Sequence, residues 1–349
     1  MNNSASSAAS MTCLKFFTAL AAIVFLSASL NAEMDPRRPS LTLQMENDLF
    51  GFSDRHYTSG ARAAWLSADH RTDELPEPWR NIDQAIPYWN HQSFYAKNFG
   101  IAIGHHIYTP NDLGATKVLK NEHPYASWLY LESSIHTKNQ NHLNSLQLSL
   151  GVIGPASLGE GAQKTIHSVI ASEYPRGWHN QLKNEPTLML TYEHHSWWPI
   201  IKKPFGMDAL TYGQINLGNV RTDLALGGIL RAGWQLPRDF GPNTISLNSY
   251  GHNLSNNPSA LSPRHEFSAY AFAGFTGRLI ARNIFLDGNT FTDSHSVTKR
   301  PVTGELRFGG AIVWRNIEIT YTQTIKSYEF YGQQYGNDWY GSLSISIGL

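Results

Sequence analysis

From Ser40 onward the chain alternates small or hydroxylated polar residues with apolar ones, the two-residue period of a strand with one apolar face. Ser40-Leu41-Thr42-Leu43-Gln44-Met45-Glu46 shows it first, and 57–66 repeats it with Tyr57, Ala61, Ala63 and Trp65 opposite Thr58, Gly60 and Arg62. In 143–153, Leu146, Leu148 and Leu150 oppose Ser145, Gln147 and Ser149. The chain ends with Leu343, Ile345, Ile347 and Leu349 alternating with Ser342, Ser344, Ser346 and Gly348. Counted this way the pattern predicts twelve strands, over 40–48, 57–67, 97–107, 124–137, 143–153, 184–195, 208–219, 222–236, 265–276, 301–314, 316–327 and 339–349. One stretch leaves the period. In 158–174, Ile166, Val169 and Ile170 cluster while Gln163, His167, Ile170 and Tyr174 fall along one helical stripe, with Pro155 before and Pro175 after.

The polar faces are small, hydroxylated or charged, and the apolar faces carry aromatics near their ends. That is how strands read when one face meets lipid and the other a polar lumen, although a β-sandwich alternates too. The aromatics Trp65, Tyr125, Trp128, Trp197, Trp198, Trp234, Trp314, Trp339 and Tyr340 resemble interfacial girdles and favour the barrel. The expected fold is therefore all-β, a transmembrane antiparallel barrel. An even strand number puts both termini on the periplasmic side, so 49–56, 108–123, 154–183, 277–300 and 328–338 face outward. The helix in the third outward loop is unusual for a passive barrel and can serve as a lid. The long connections 68–96 and 237–264 fall on the inner side, where turns are usually short.

Residues 1–32 read as a signal peptide: Lys15, the apolar run 16–26, then small residues to Ala32, with Ala28 a second cleavage position. The remaining 33–349 form one barrel domain. The single cysteine, Cys13, lies in the leader, which leaves the mature chain no disulfide or thiol chemistry. Net charge is zero, which argues against a nucleic-acid partner, and nothing specifies an oligomeric state.

Chemistry concentrates at the outer rim. Asn47 and Asp48 close the first strand, Thr58 opens the second, Lys117 lies in the second outward loop, and His167 sits on the helix of the third. Asn and Asp are also turn residues, so the first hairpin read alone fits a plain turn. By alternation Asp48 and Thr58 point to the lumen, and Asn47 away from it unless a bulge re-aims it. His167 is the best general base, since its ordinary pKa lies near working pH. Gln163 lies one turn earlier on the same face. Asp48, Asn47 and Glu173 are oxygen donors suited to a hard cation such as Ca²⁺. No His/Cys set has zinc spacing, and no Gly-x-Ser-x-Gly elbow is present.

Asn47-Asp48-Leu49-Phe50 with Asp54-Arg55-His56-Tyr57-Thr58-Ser59-Gly60, then Ile107-Tyr108-Thr109-Pro110, resembles the lipid A 3′-O-deacylase family of outer-membrane proteins. Gly151-Val152-Ile153-Gly154-Pro155, Glu173-Tyr174-Pro175 with Trp178 and Gln181, and the run 282–289 match as well. The resemblance implies a twelve-stranded barrel in the cell outer membrane that removes the 3′-linked acyloxyacyl chain from lipid A, or lipopolysaccharide, with Ca²⁺. It implies His167 as the base that activates water, and Asn47, Asp48, Thr58, Lys117, Gln163 and Glu173 as the rest of the site. Lys117 then binds a lipid A phosphate or assists the oxyanion, and Lys120 competes for that role. Two features depart from the pattern: the last residue is Leu349 rather than an aromatic, and 68–96 is long. The competing readings are an outer-membrane phospholipase, a non-enzymatic pore or adhesin, and a soluble periplasmic β-protein.

Overall fold

The computed structural model describes residues 39–48, 56–86, 96–170, 172–202, 204–242, 267–334 and 336–349. The expected leader and most of the inner connection 237–264 lie outside these residues. Twelve antiparallel strands close into one barrel, each paired with its sequence neighbours and the last with the first. They are β1 (Ser40–Asn47), β2 (His56–Leu66), β3 (Ala96–Thr109), β4 (Ala126–Lys138), β5 (His142–Ile153), β6 (Glu185–Ile201), β7 (Phe205–Gly218), β8 (Arg221–Trp234), β9 (Phe267–Asn283), β10 (Val302–Trp314), β11 (Ile317–Lys326) and β12 (Asp338–Gly348). Closure runs in register from Ser40↔Gly348 to Asn47↔Gly341, with the Thr42 and Ser346 hydroxyls 2.6 Å apart inside.

The alternation read from the sequence is the alternation of the wall. Leu131, Leu226, Leu279 and Leu306 stand outward and more than half exposed (64, 61, 56 and 53%), a surface that only a lipid phase accommodates. The polar parity points inward, and its arginines are paired. Arg62 donates to Gln44 (3.0 Å) and Glu132 (2.9 Å), Arg278 to Asp223 (2.9 Å), and Arg231 to Asp208 (2.8 Å), while Arg307 meets Glu305. Charges desolvated in a lumen persist only when paired in this way. β9 runs seven residues past its expected end because Arg278 keeps the inward parity through its bond to Asp223.

Seven of the nine expected girdle aromatics divide into two groups, while Trp65 is half-buried and Tyr125 is buried against Trp178. Trp198, Trp234, Trp314 and Trp339 are exposed on the outer face, as girdle residues are. Trp128, Trp197 and Tyr340 have the inward parity and are buried, so that part of the expected girdle belongs to the interior. Among the described residues three α-helices decorate the barrel: α1 (Glu77–Ala85) in the long inner connection, α2 (Gly159–Ile170) after β5, and the single turn α3 (Ile284–Asp287) after β9. α3 tucks Phe285 against Tyr108 (ring centroids 4.0 Å) and so helps to cap the lumen from the outer end.

Candidate active site on the outer wall

The site begins with one extra residue in β2. The β2–β3 register is regular from Ser59↔Ile107 to Leu66↔Gly100, but Tyr57 pairs with Tyr108 and leaves Thr58 as a bulge. Tyr57 thereby turns inward, where its hydroxyl donates to Glu46 Oε2 (2.8 Å) and its ring packs on Tyr340 at 5.0 Å. Thr58 goes the other way. Its hydroxyl lies 2.6 Å from that of Thr109, which shares the outward parity of Ile101, Ile103 and Ile107. This corrects the lumenal orientation that alternation assigns to Thr58, since one inserted residue reverses the parity beyond it. Asn47 keeps the outward parity, in register with Ser59, yet is buried. Asp48 follows in a tight turn beyond the strand, where alternation no longer sets its direction, and is also buried.

α2 lies against the outside of this wall. A Cβ on Gly159 would stand 2.1 Å from the Ser127 hydroxyl, and Ser127 has the outward parity of Leu129 and Leu131 on β4. Ile107 of β3 packs with Leu113, Tyr125, Trp178 and Ala162. The entry turn is fastened by Ser157, whose hydroxyl reaches the carbonyls of Gly154 (2.6 Å) and Ser127 (2.9 Å). Gly159, Gln163 and His167 recur every fourth residue, so Gln163 and His167 share the wall-facing side and are buried, while Thr165, Ile166 and Ser168 are exposed.

Both buried polar side chains are held in one orientation. Trp178 Nε1, which can only donate, bonds Gln163 Oε1 at 2.7 Å. That fixes the carboxamide with Nε2 turned away, and among the described residues this buried Nε2 has no hydrogen-bond partner. His167 Nδ1 lies 2.6 Å from the backbone carbonyl of Glu173. A carbonyl accepts only, so Nδ1 carries a proton, and in the neutral ring the lone pair falls on Nε2.

The second and third outward loops are bound together. Arg176 N donates to Leu113 O (2.8 Å), the Asn180 amide to Thr116 O (2.9 Å), and Leu182 N to Tyr125 O (2.9 Å). Lys117 is exposed and lines a small crevice with Tyr125, Asn180 and His295. Lys120 meets His295 through its backbone. Glu173 is exposed, with its carboxylate beside Gly114, where a Cβ would stand 2.9 Å away. Asn47 and Asp48 thus offer buried oxygen donors whose chemistry fits a hard cation. Among the described residues, no three or more His, Cys, Asp or Glu side chains are arranged to hold a metal.

Beside Thr58, an ionic clasp closes the lip. His56, in the left-handed conformation (φ 61°), bonds Asp338 Oδ1 through Nδ1 (2.8 Å) and faces Glu122 Oε2 through Nε2 (3.5 Å). Burial works against its charge, but the two carboxylates outweigh burial and raise its pKa to about 9. Burial and then the His56 charge pull His123 down to about 4, and it stacks on Tyr108 as a neutral ring. Sequence reading gives no role to Glu122 or Asp338: Glu122 lies in a loop without a local pattern, and Asp338 reaches His56 only when β12 closes the barrel.

A family model described as "Outer membrane protein LpxR" matches residues 16–349. The chain belongs to this family. It is therefore an outer-membrane protein, and its barrel is the family's barrel. Among solved structures it is similar to LpxR from Salmonella typhimurium, with a TM-score of 0.67 and 17% identity over 89% of this chain and all of that one. It is more distantly similar to the β domain of the Bordetella autotransporter BrkA (TM-score 0.37, 9% identity, 90% of this chain and 100% of that chain). The TodX hydrocarbon channel, a deletion mutant, is equally distant (TM-score 0.37, 10% identity, 90% of this chain and 91% of that chain). No curated protein sequence matches the chain. Membership in the LpxR family directs attention to the outer rim, where Gln163 and His167 face the wall from α2 and Asn47, Asp48 and Thr58 lie at the outer ends of β1 and β2.

Proposed function

We propose that this protein is a lipid A 3′-O-deacylase, a carboxylic ester hydrolase whose site lies between the outer wall of β1–β4 and α2. The observation that carries the reading is the His167–Glu173 contact, a histidine held in one tautomer on a lipid-facing surface rather than in the lumen. A substrate embedded in the outer leaflet reaches such a cleft sideways, without leaving the membrane. Family membership supports the substrate class. The passive-pore reading is disfavoured by the burial of the charged side chains on the inner wall: Arg62, Glu132, Asp208, Asp223, Arg231 and Arg278 are paired between nearby strands and nearly inaccessible.

In this reading His167 Nε2 accepts a proton from water as the oxygen attacks the ester carbonyl carbon. The resulting imidazolium returns the proton to the 3′ oxygen as the acyl–oxygen bond breaks. Gln163 Nε2, turned away from Trp178, donates to the oxygen that becomes negative. Lys117, being exposed, suits a lipid A phosphate as a point charge better than it suits the oxyanion. Asp48 and Asn47 are the residues that would hold Ca²⁺, with Thr58 beside them and Glu173 joining only if its carboxylate leaves Gly114. When bound, the ion supplies charge stabilisation at the ester carbonyl.

The test is mass spectrometry of lipid A incubated with detergent-solubilised protein and Ca²⁺, with phosphatidylethanolamine in a parallel reaction. Loss of an acyloxyacyl mass from the 3′ position, absent with His167→Ala, is expected. Intact lipid A with a cleaved glycerophospholipid would transfer the assignment to a phospholipase.

A further inference from the structure

The long inner connection builds something the barrel does not need. α1 and the residues flanking it place Leu75, Trp79 and Ile86 on Phe99, Ile135, Leu146 and Tyr192. These four wall residues form one row, Phe99↔Ile135↔Leu146↔Tyr192, one from each of β3 to β6. All four have the outward parity, so α1 lies on the outside of the barrel at the end that carries the termini. The contact is anchored. Asp83, fully buried, takes Lys97 Nζ at 2.7 Å and the Thr72 hydroxyl at 3.2 Å, and the Trp79 and Phe99 rings stand 4.6 Å apart.

The wall above α1 is the lipid-facing belt. The next rows carry Ile101, Leu148, Ile103 and Leu131, exposed by 40 to 64%. α1 itself is apolar over a wider arc than the wall covers. Trp79 and Ile86 meet the wall, whereas Pro78, Ile82 and Ala85, spaced by four and three residues, form an adjoining exposed flank. Glu77, Asn81 and Gln84 make the opposite, polar edge. A helix with one apolar flank open and one polar edge suits a membrane interface.

The spacing agrees with that position. α1 covers Phe99 and α2 covers Ile107, both on β3 and eight residues apart. Eight residues span about 27 Å along a strand, or about 20 Å along the membrane normal at the usual tilt, close to the apolar band of such barrels.

We infer that α1 is an interfacial helix seated in the phospholipid headgroup region of the periplasmic leaflet, beneath the side of the barrel that carries the candidate site. The two external helices then bracket one hydrophobic span, and α1 fixes the height at which the α2 cleft meets the outer leaflet.

The test uses spin labels in a Cys13→Ala background, which removes the chain's single cysteine. Labels go on Ile82→Cys and Ala85→Cys (exposed flank), Glu77→Cys (polar edge) and Ile103→Cys (belt), in nanodiscs of phosphatidylethanolamine and phosphatidylglycerol. Heat-dependent gel mobility confirms that each barrel is folded. The oxygen-to-nickel-chelate accessibility ratio is expected to be at least fivefold higher at 82 and 85 than at 77, and to approach that at 103. Ratios at 82 and 85 equal to that at 77 would put α1 in periplasmic water and overturn the inference. Protection of 82 and 85 from both reagents would show a protein partner there and overturn it equally. Ala85→Cys is a small change at an exposed position, so the answer does not depend on tolerance at Ile82.

Discussion

Replacing His56 with Gln removes a buried cation that ties three outward segments together, because its partners Asp338 and Glu122 come from β12 and from the loop after β3. The His56 pKa rises from an ordinary 6.5 to about 9 on folding. A raised folded pKa means that the stabilisation is fully present below pH 6.5 and is lost as the pH climbs through about 9. At about 1.4 kcal/mol per pH unit, the interval corresponds to about 3 kcal/mol at the low-pH plateau. Glu122 has the opposite sign. Burial raises its pKa, but the His56 and Asn111 contacts prevail and lower it below the usual value of 4.5, so its share is lost only in acid. Urea unfolding in detergent, followed by tryptophan fluorescence at pH 6 and pH 10, reads the effect. The stability gap between wild type and His56→Gln should shrink by about 3 kcal/mol over that range. A gap that stays constant would refute a charged clasp at the lip.

Three further outcomes follow from the site's geometry. Gly159→Val places a side chain where the Ser127 hydroxyl stands and pushes α2 off the wall, so deacylation should fall at least a hundredfold while heat-dependent gel mobility still reports a folded barrel. Trp178→Phe keeps the packing on Tyr125 but frees the Gln163 carboxamide to turn. The loss of one buried hydrogen bond should lower kcat by roughly tenfold with little change in KM, measured on purified lipid A. Chelation with EDTA should abolish turnover, with Ca²⁺ but not Mg²⁺ restoring it, since irregular oxygen donors suit the larger ion.

The fold was legible because lipid outside and polar groups inside impose a strict period of two on every strand, and all twelve segments emerge from that period alone. It blurred where side chains of both kinds share a face. Trp128 and Tyr340 look like girdle residues in sequence but fill the interior, and Arg278, which the pattern puts in the outward loop 277–300, is a lumenal ion-pair partner within β9. The candidate site was legible as residue types and not as an arrangement. A bulge at Thr58 leaves no mark in a run of polar residues, and it decides which side of the wall the site occupies. The helix was visible from its period and its flanking prolines, close to its observed Gly159–Ile170 extent. Its docking on the outside depends on Gly159 meeting Ser127, a contact between residues far apart in the chain. α1 was masked by its Pro-rich surroundings and short length, although Leu75, Trp79, Ile82 and Ile86 carry helical spacing.

The central claim, water attack on the 3′ acyl carbon with His167 as base, is tested most directly by running the deacylation in H₂¹⁸O with wild type and His167→Ala and weighing both products. The account predicts one ¹⁸O in the carboxylate of the released acyloxyacyl acid, none at the freed 3′ hydroxyl, and a rate lower by about a hundredfold or more in the variant. Label on the 3′ hydroxyl, or an undiminished rate without His167, would contradict it.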